Sequence, residues 1–120
     1  MTVATKRIYE PASSEDGYRV LIDRLWPRGV MKEQARIDEW ARDLAPSDEL
    51  RRWFAHRPER FERFRARYVE ELRAHADHLA ELRRRARGGK VTVVFAARDA
   101  GHSNAAVLAP LLRRGFPRAD

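Results

Sequence analysis

The stretch Lys90-Val-Thr-Val-Val-Phe-Ala-Ala97 is the part of the sequence that decides the fold. Its residues are β-branched and apolar at both alternating positions, a pattern typical of a strand that is covered on both faces. Gly88 and Gly89 precede it, and a glycine-containing loop, Arg98–Asn104, follows it. We therefore predict that this stretch forms the central strand of a sheet, and the other elements are placed outward from it.

Two more strands are predicted upstream of the central one. Tyr18–Leu25 has a continuous apolar centre and stops where Pro27 and Gly29 would break a ladder of hydrogen bonds. Thr2–Tyr9 predicts a first strand that ends around its last residue. Later in the chain, Ile37–Trp40 fits either a short extended piece or more helix.

Helical patterns fill most of the remaining chain. Ser47 is a good N-cap for one helix, and Pro58 fits the first position of a long helix that reaches Arg87. The last helix, Asn104–Arg114, contains Pro110, which should bend or split it. The order of elements predicts a single α/β domain over residues 1–120. Its small, mainly parallel sheet is flanked by helices in a Rossmann-like three-layer or a two-layer arrangement.

The composition excludes several classes of protein. The 120 residues include no cysteine, so disulfide scaffolds, cysteine-ligated zinc sites and thiol nucleophiles are excluded. The longest strongly apolar runs, such as Val91–Ala97, are far shorter than the roughly 18 to 20 residues of a membrane-spanning helix. The segment Met1–Arg7 lacks the apolar core of a signal peptide. We therefore expect a soluble cytoplasmic protein with no membrane partner.

The sequence is rich in arginine. Of its 25 basic residues 22 are arginines, against 18 acidic residues, and the formal net charge is +7. Such a surplus favours a nucleic acid or another polyanion as partner, or it reflects arginine replacing lysine on solvated faces. In Arg51–Arg87 the arginines alternate with acidic residues at helical pair spacings, which favours the second interpretation. Only Arg83-Arg84-Arg85-Ala-Arg87 is an unbroken basic block, and it falls at a predicted helix end, where cations oppose the helix dipole.

Two predicted loops lie at the carboxyl ends of the strands, where parallel α/β sheets usually bind their ligands. The first loop is Asp23-Arg24-Leu25-Trp26-Pro27-Arg28-Gly29. Its two arginines could fork onto phosphate or carboxylate oxygens, and Trp26 could stack on a flat ligand. Equally, Asp23 could pair with Arg24 or Arg98 within the rim of the sheet, with Trp26 in the core.

The second loop is Arg98–Asn104, between the central strand and the last helix. A helix N-terminus after a glycine-containing loop leaves free backbone N–H groups that suit an anion. His102 is the best proton-transfer group in the chain near neutral pH, whereas Ser103 or Asn104 is more typical as the cap of the helix. The spacing His75-Ala-Asp-His78 suits two metal ligands on one helix face. It is more often an ordinary surface pair, so no metal site is predicted.

These residues support a first hypothesis: a site at the strand ends for an anionic small molecule such as a nucleotide or a sugar phosphate. The arginines would bind the anion, Trp26 would stack, and His102 would act as acid or base, which leaves enzyme activity and cofactor open. The ligand-binding candidates are Arg24, Trp26, Arg28, Arg98 and Asn104, and the catalytic candidates are His102, Asp99 and Asp23. A second hypothesis is a nucleic-acid-associated basic protein. A third is an accessory protein whose long helix packs on a partner or on a second copy of the chain.

Motifs spread over nearly the whole chain resemble those of the YeaO-like family, small domains of unknown function of the DUF488 type. They are Arg7-Ile-Tyr-Glu-Pro11, Asp16-Gly-Tyr-Arg-Val-Leu-Ile-Asp-Arg-Leu-Trp-Pro-Arg-Gly29, Trp40 with Asp43-Leu-Ala-Pro-Ser47, Leu50-Arg-Arg-Trp-Phe54, and Ala96-Ala-Arg-Asp99 with His102 and Asn104. The resemblance implies a compact α/β fold and no established activity. Pro110 departs from the family pattern, which would place an ordinary helix former there. The shared motifs include the residues predicted at the strand ends, which favours a common site.

Overall fold

The computed structural model describes residues 1–118, and within that range four strands form one parallel sheet. The strands are β1 (Thr2–Arg7), β2 (Tyr18–Leu21), β3 (Glu39–Trp40) and β4 (Lys90–Phe95). Their order across the sheet is β1-β4-β2-β3, so β4 has a parallel partner on each side. The predicted α/β fold with a central β4 is confirmed. The first strand ends two residues earlier than predicted, and Ile37–Trp40 contributes a short extended piece rather than helix.

Five α-helices lie within the described residues. They are α1 (Lys32–Ala35), α2 (Asp48–Phe54), α3 (Phe61–Arg73), α4 (Ala76–Gly88) and α5 (Asn104–Arg114), with short 3-10 turns at Ser14–Asp16, Arg42–Leu44, Pro58–Arg60 and Ala100–His102. Ser47 caps α2, because its hydroxyl accepts a hydrogen bond from the amide of Leu50 at 3.2 Å. Of the two cap candidates for α5, Ser103 is the cap, and it accepts from the amide of Ala106 at 3.2 Å. Both bonds satisfy backbone donors that a helix start leaves free.

The long helix predicted over Pro58–Arg87 is wrong as a single element. It begins as a 3-10 turn and is interrupted between α3 and α4. The amide of His75 bonds to the carbonyl of Leu72 at 2.9 Å, three residues back, which tightens the end of α3. His75 itself has φ −116° and ψ 30°, outside the helical range. No glycine or proline marks this break in the sequence, so residue type alone did not predict it.

The last helix runs through Pro110 from Asn104 to Arg114 as one element, so the predicted split does not occur. A proline removes one backbone hydrogen bond within the helix. The side chains around it compensate, because Leu108, Leu111 and Leu112 are all buried in the core. Burial of such side chains contributes about 1.5 to 3 kcal/mol each, comparable to the roughly 3 kcal/mol cost of the proline.

The two faces of the sheet are covered unequally. Helices α2–α5 pack on one face, and the core there includes the fully buried Val93, Tyr68 and Leu108. The other face carries a smaller cluster around Leu21 and Val94, covered mainly by the segment between β2 and β3. A full helical layer is therefore present on one face only. Within residues 1–118, no helix combines the length and the apolar character needed to cross a membrane.

A buried ion cluster holds the start of β2 on the less covered face. Arg19, which is 3% exposed, donates to the carboxylate of Asp16 at 2.6 Å, and Lys6 donates to it at 3.1 Å. Burial would raise the pKa of Asp16, but hydrogen bonds from the Ser13 amide, Lys6 and Arg19 outweigh it and leave the pKa below its ordinary value. The hydroxyl of Thr92 donates to the Asp16 carbonyl at 2.6 Å and ties the cluster to β4. These polar groups serve the fold.

We predict that Gly17→Ala destabilises the protein more than Gly29→Ala does. Both glycines have positive φ, 67° and 77°, a conformation that costs an L-residue about 1 to 2 kcal/mol. At Gly17 the added methyl group would also lie 2.3 Å from the carbonyl oxygen of Lys90, whereas nothing lies within 4 Å of it at Gly29. Urea unfolding of both variants measures the difference. Equal losses of unfolding free energy would contradict the role assigned to the Gly17–Lys90 approach.

Candidate functional site

Asp23 joins the carboxyl ends of three strands to α5. Its carboxylate accepts a hydrogen bond from the amide of Ala96 at 3.1 Å and one from the side-chain amide of Asn104 at 3.0 Å. The same Asn104 amide donates to the carbonyl of Ile22 at 3.2 Å. The indole N–H of Trp40 donates to the carbonyl of Asp23 at 2.7 Å. We call these residues the Asp23 junction.

The hydrogen-bond donors to the Asp23 carboxylate are both uncharged amides. Burial raises its pKa above the ordinary range of an aspartate, and the hydrogen bonds from Asn104 and Ala96 only partly offset that increase. Within the described chain Asp23 forms no ion pair with Arg24 or Arg98, the pairing that the sequence had left open. The structure thus brings Asp23 and Asn104 together as a support for the two loops.

Arg24 points away from the Asp23 junction. Its guanidinium lies 3.5 Å from the carboxylate of Asp48 at the start of α2. It also lines a cavity of about 430 Å³ whose other lining residues are Asp43, Ala45, Ser47, Glu71, Leu72 and His75. Glu71 accepts hydrogen bonds from both the amide and the hydroxyl of Ser47. Most polar groups of this cavity therefore already have partners.

Trp26 lies against the less covered face of the sheet. Its indole N–H donates to the carbonyl of Val30 at 2.8 Å, and its ring packs edge-on against Trp40 with centroids 5.4 Å apart. Lys32 places its ammonium 6.0 Å from the ring centroid. Trp26 is thus partly buried and packs against the smaller core cluster around Leu21 and Val94.

Arg28 and Arg98 lie in the loops that follow the carboxyl ends of β2 and β4. The Tyr9 hydroxyl donates to the carbonyl of Arg28 at 3.2 Å. Arg7 holds its guanidinium 5.1 Å from the Tyr9 ring centroid and donates to the carbonyls of Ala96 and Ala97, directly before Arg98. We call Arg7, Tyr9, Arg28 and Arg98 the basic rim. Beside it lies a cavity of about 360 Å³ lined by Thr5, Lys6, Arg7, Glu10, Phe95 and Ala100.

His102 pairs with Asp99 in the turn before α5. A ring nitrogen of His102 lies 2.7 Å from the Asp99 carboxylate, and the ring packs edge-on against Phe61 with centroids 5.1 Å apart. Ser103 is buried, and its hydroxyl donates to the carbonyl of Ala100 at 2.9 Å. The predicted histidine and aspartate are therefore adjacent, but the neighbouring serine is fully engaged as the helix cap.

A second histidine network was not predicted. His78 on α4 lies between the carboxylates of Asp43 and Glu39, with one ring nitrogen 2.7 Å from Asp43. Glu39 also accepts from the Tyr18 hydroxyl at 2.7 Å, and His75 lies 3.6 Å from Asp43. The spacing of His75 and His78 was visible in the sequence, but their carboxylate partners come from a distant segment. Across residues 1–118, no three or more His, Asp or Glu side chains are grouped so that they could hold a metal ion.

We predict that His78 makes stability fall as pH rises. Burial lowers its pKa, but hydrogen bonds and charges from Asp43 and Glu39 dominate and raise the pKa above the ordinary value of 6.5. The doubly protonated ring donates to both carboxylates, and the neutral ring can donate to only one. This stabilisation is complete below pH about 6.5, the unfolded-state value, and is lost as pH rises through the folded-state pKa.

Urea unfolding between pH 6 and pH 9, for the native chain and His78→Gln, measures this effect. The native chain should lose its advantage over the variant as pH rises. A difference between the two proteins that stays constant across the range would contradict the assignment.

We also predict that Asn104→Ala costs about 1 to 3 kcal/mol, because it leaves one oxygen of the Asp23 carboxylate without its donor. Asn104→Asp is the sharper probe, since it places a second carboxylate beside Asp23. That variant should be weaker at pH 8 than at pH 5 relative to the native chain, measured by chemical unfolding. A loss that does not depend on pH would count against the Asp23 junction.

Comparisons with known proteins identify relatives over nearly the full length. A family model described as the inactive DUF488-N3 subclade matches residues 2–120. The uncharacterized protein Rv3073c of Mycobacterium tuberculosis H37Rv is 50% identical over 110 residues, which cover 92% of each chain. The uncharacterized protein Mb3100c of Mycobacterium bovis has the same identity and coverage.

A relative with lower identity comes from Escherichia coli. The uncharacterized protein YeaO of Escherichia coli K12 is 39% identical over 113 residues, which cover 94% of this chain and 98% of YeaO. No solved structure matches this chain at a significant level. Because the family model and these relatives span almost all of the sequence, the chain belongs to the YeaO-like DUF488 family, in the subclade described as inactive.

Proposed function

We propose that this protein binds an anionic small molecule, such as a nucleotide or a sugar phosphate, at the basic rim. The proposal rests on two exposed arginines there that have no ion-pair partner in the described part of the chain. Arg28 and Arg98 are exposed, and within residues 1–118 neither forms an ion pair, whereas Arg24 is paired with Asp48. A free guanidinium offers a planar fork of N–H donors that matches phosphate or carboxylate oxygens.

Tyr9 replaces Trp26 in this proposal as the flat surface for a base or sugar ring. Tyr9 is 50% exposed, its hydroxyl is held by the Arg28 carbonyl, and the Arg7 guanidinium lies over its ring. Arg7 is itself fixed by the carbonyls of Ala96 and Ala97. A ring held in this way adds stacking surface with little loss of side-chain entropy.

Binding without chemistry fits the subclade, whose description is inactive. The second candidate function is catalysis, with His102 as the general base. Asp99 would orient the His102 ring, because its carboxylate lies 2.7 Å from a ring nitrogen. That role needs a substrate hydroxyl or a water as its partner, since the Ser103 hydroxyl is committed to Ala100. We therefore favour ligand binding over catalysis, and in this proposal Asp99 and His102 would lie beside the ligand.

Calorimetric titration and thermal shift with AMP, ADP, ribose 5-phosphate and inorganic phosphate test the proposal. Arg28→Ala and Arg98→Ala should each weaken binding by roughly tenfold to a hundredfold, the effect of losing a charged hydrogen-bond donor. Arg87→Ala removes the same charge from an exposed position at the far end of α4 and serves as the matched control. It should leave affinity within about twofold.

Two results would overturn the proposal. One is the absence of saturable binding by the native chain to any of these ligands at millimolar concentration. The other is an equal loss in Arg87→Ala, which would show attraction by net charge alone. A variant His102→Ala that binds normally would favour binding over catalysis, and turnover of a ligand by the native chain that this variant abolishes would reverse that order.

A further inference from the structure

The ends of α4 and α5 lie together at the amino-terminal edge of the sheet. Arg83 on α4 donates to the carbonyl of Leu112 on α5 at 3.2 Å. Arg113 on α5 donates to the carbonyl of Val3 at 2.9 Å and reaches the start of β1. Lys90, the first residue of β4, pairs with Thr2 across the same edge. The fold therefore collects the basic residues of two helix ends and a strand start on one surface.

The segment that supplies most of that surface has almost no acidic residues. Acidic side chains from other segments lie beside it, since Glu39 accepts from the hydroxyl of Tyr18, whose ring Arg85 covers. Between Leu82 and Arg118 the chain carries nine basic residues and one acidic residue, Asp99, which lies with Arg98 at the opposite edge. Glu81 pairs with Arg84 at 3.2 Å, and the nearby Asp16 is buried against Arg19. We call the following residues the basic end: Arg83, Arg84, Arg85, Arg87, Lys90, Arg113 and Arg114.

The excess of basic over acidic residues in this segment is not explained by a general use of arginine in place of lysine on solvated faces. On α3 the arginines are matched by acids one helical turn away, as in Arg65 with Glu62 and Arg73 with Glu70. A compositional preference for arginine would leave every helix face balanced in that way. On the basic end Arg84 pairs with Glu81, but within residues 1–118 Arg85, Arg87, Arg113 and Arg114 form no ion pair, and all five arginines are exposed. Like charges at this density repel one another unless an anionic partner neutralises them.

We infer that the basic end binds the phosphate backbone of double-stranded nucleic acid. Carbonyl groups, not N–H groups, end both helices, so phosphates must be met by the arginine side chains that extend past them. Single-stranded binding would need exposed aromatic faces, but Tyr18 and Phe116 are partly buried and packed against the core, and Arg85 lies 3.9 Å from the Tyr18 ring centroid. Contacts of this kind carry no base readout, so binding is independent of sequence.

An anionic lipid surface is the less suitable partner. Stable membrane association combines positive charge with inserted apolar side chains. In the part of the chain that the structure describes, the large exposed apolar residues are Met1, Tyr9, Leu25 and Met31. Only Met1 is near the basic end, and the other three follow the carboxyl ends of β1 and β2.

The inference stands apart from the proposed function, because the basic end and the basic rim lie at opposite edges of the sheet. Fluorescence anisotropy with a labelled 24-base-pair DNA duplex, from 50 to 300 mM salt, tests it. The variant Arg84→Gln/Arg87→Gln/Arg114→Gln should bind at least about tenfold more weakly at 50 mM salt. The slope of log affinity against log salt should fall by about 2 to 3, since each lost phosphate contact contributes about 0.9.

The matched control is Arg52→Gln/Arg57→Gln/Arg63→Gln. It also removes three positive charges, but around the turn between α2 and α3. That turn lies next to Phe61 and therefore near His102, away from the basic end. Its affinity for the duplex should stay within about threefold of the native chain. A charge-retaining variant, Arg84→Lys/Arg87→Lys/Arg114→Lys, should keep the salt slope. Circular dichroism and thermal unfolding confirm that each variant is folded.

Three outcomes would overturn the inference: no duplex binding by the native chain at 50 mM salt, an equal loss in the control triple variant, or a salt slope unchanged by the basic-end substitutions. Binding to vesicles that contain 30% phosphatidylserine, without binding to the duplex, would assign the surface to a membrane instead. Arg28→Ala and Arg98→Ala should bind the duplex normally. The two proposals can therefore fail separately.

Discussion

The parallel pairing of β4 on both of its sides is the constraint on which the rest of the structure depends. Val91, Val93 and Val94 are fully buried, and the strand has β1 on one side and β2 on the other. A strand so enclosed must enter from one edge of the sheet and leave from the other. The end of α4 is thereby held at the amino-terminal edge, and the loop before α5 is held at the carboxyl edge.

At the carboxyl edge of the sheet, the hydrogen bonds of the Asp23 junction hold the ends of three strands and the start of α5 together. A buried carboxylate is costly unless its oxygens are hydrogen-bonded, and here the Ala96 amide and Asn104 supply the bonds. Asp23 therefore connects the end of β2 to the end of β4 and to the start of α5. Its neighbours Arg24 and Arg28 diverge, the first towards Asp48 and the second towards Tyr9. The family motif that contains all three residues thus serves two different surfaces.

Local patterns predicted the elements whose cause is local. The buried run of β4 and the caps Ser47 and Ser103 follow from residue type and spacing alone. The break at His75 was not predictable, because nothing in its sequence disfavours a helix. Among the predicted site residues, Asp23 contacts Asn104 and Asp99 contacts His102, and a ligand site at these residues stays a prediction. The role of Tyr9 and the partners of His78 depend on contacts between distant segments, which spacing cannot reveal.

The net charge of +7 indicates binding surfaces only when the charged residues are assigned to the two edges of the sheet. On α2 and α3 arginines and acids alternate, so that region adds little field beyond its immediate pairs. The basic end and the basic rim hold the unmatched cations, and they differ in shape. At the rim, Arg7 lines a cavity of about 360 Å³ and places its guanidinium 5.1 Å from the Tyr9 ring centroid, a local arrangement that suits a small anion. At the basic end, exposed arginines spread over the ends of α4 and α5, which suits an extended anion. The separation of these surfaces follows from β4, because its two ends deliver the chain to opposite edges.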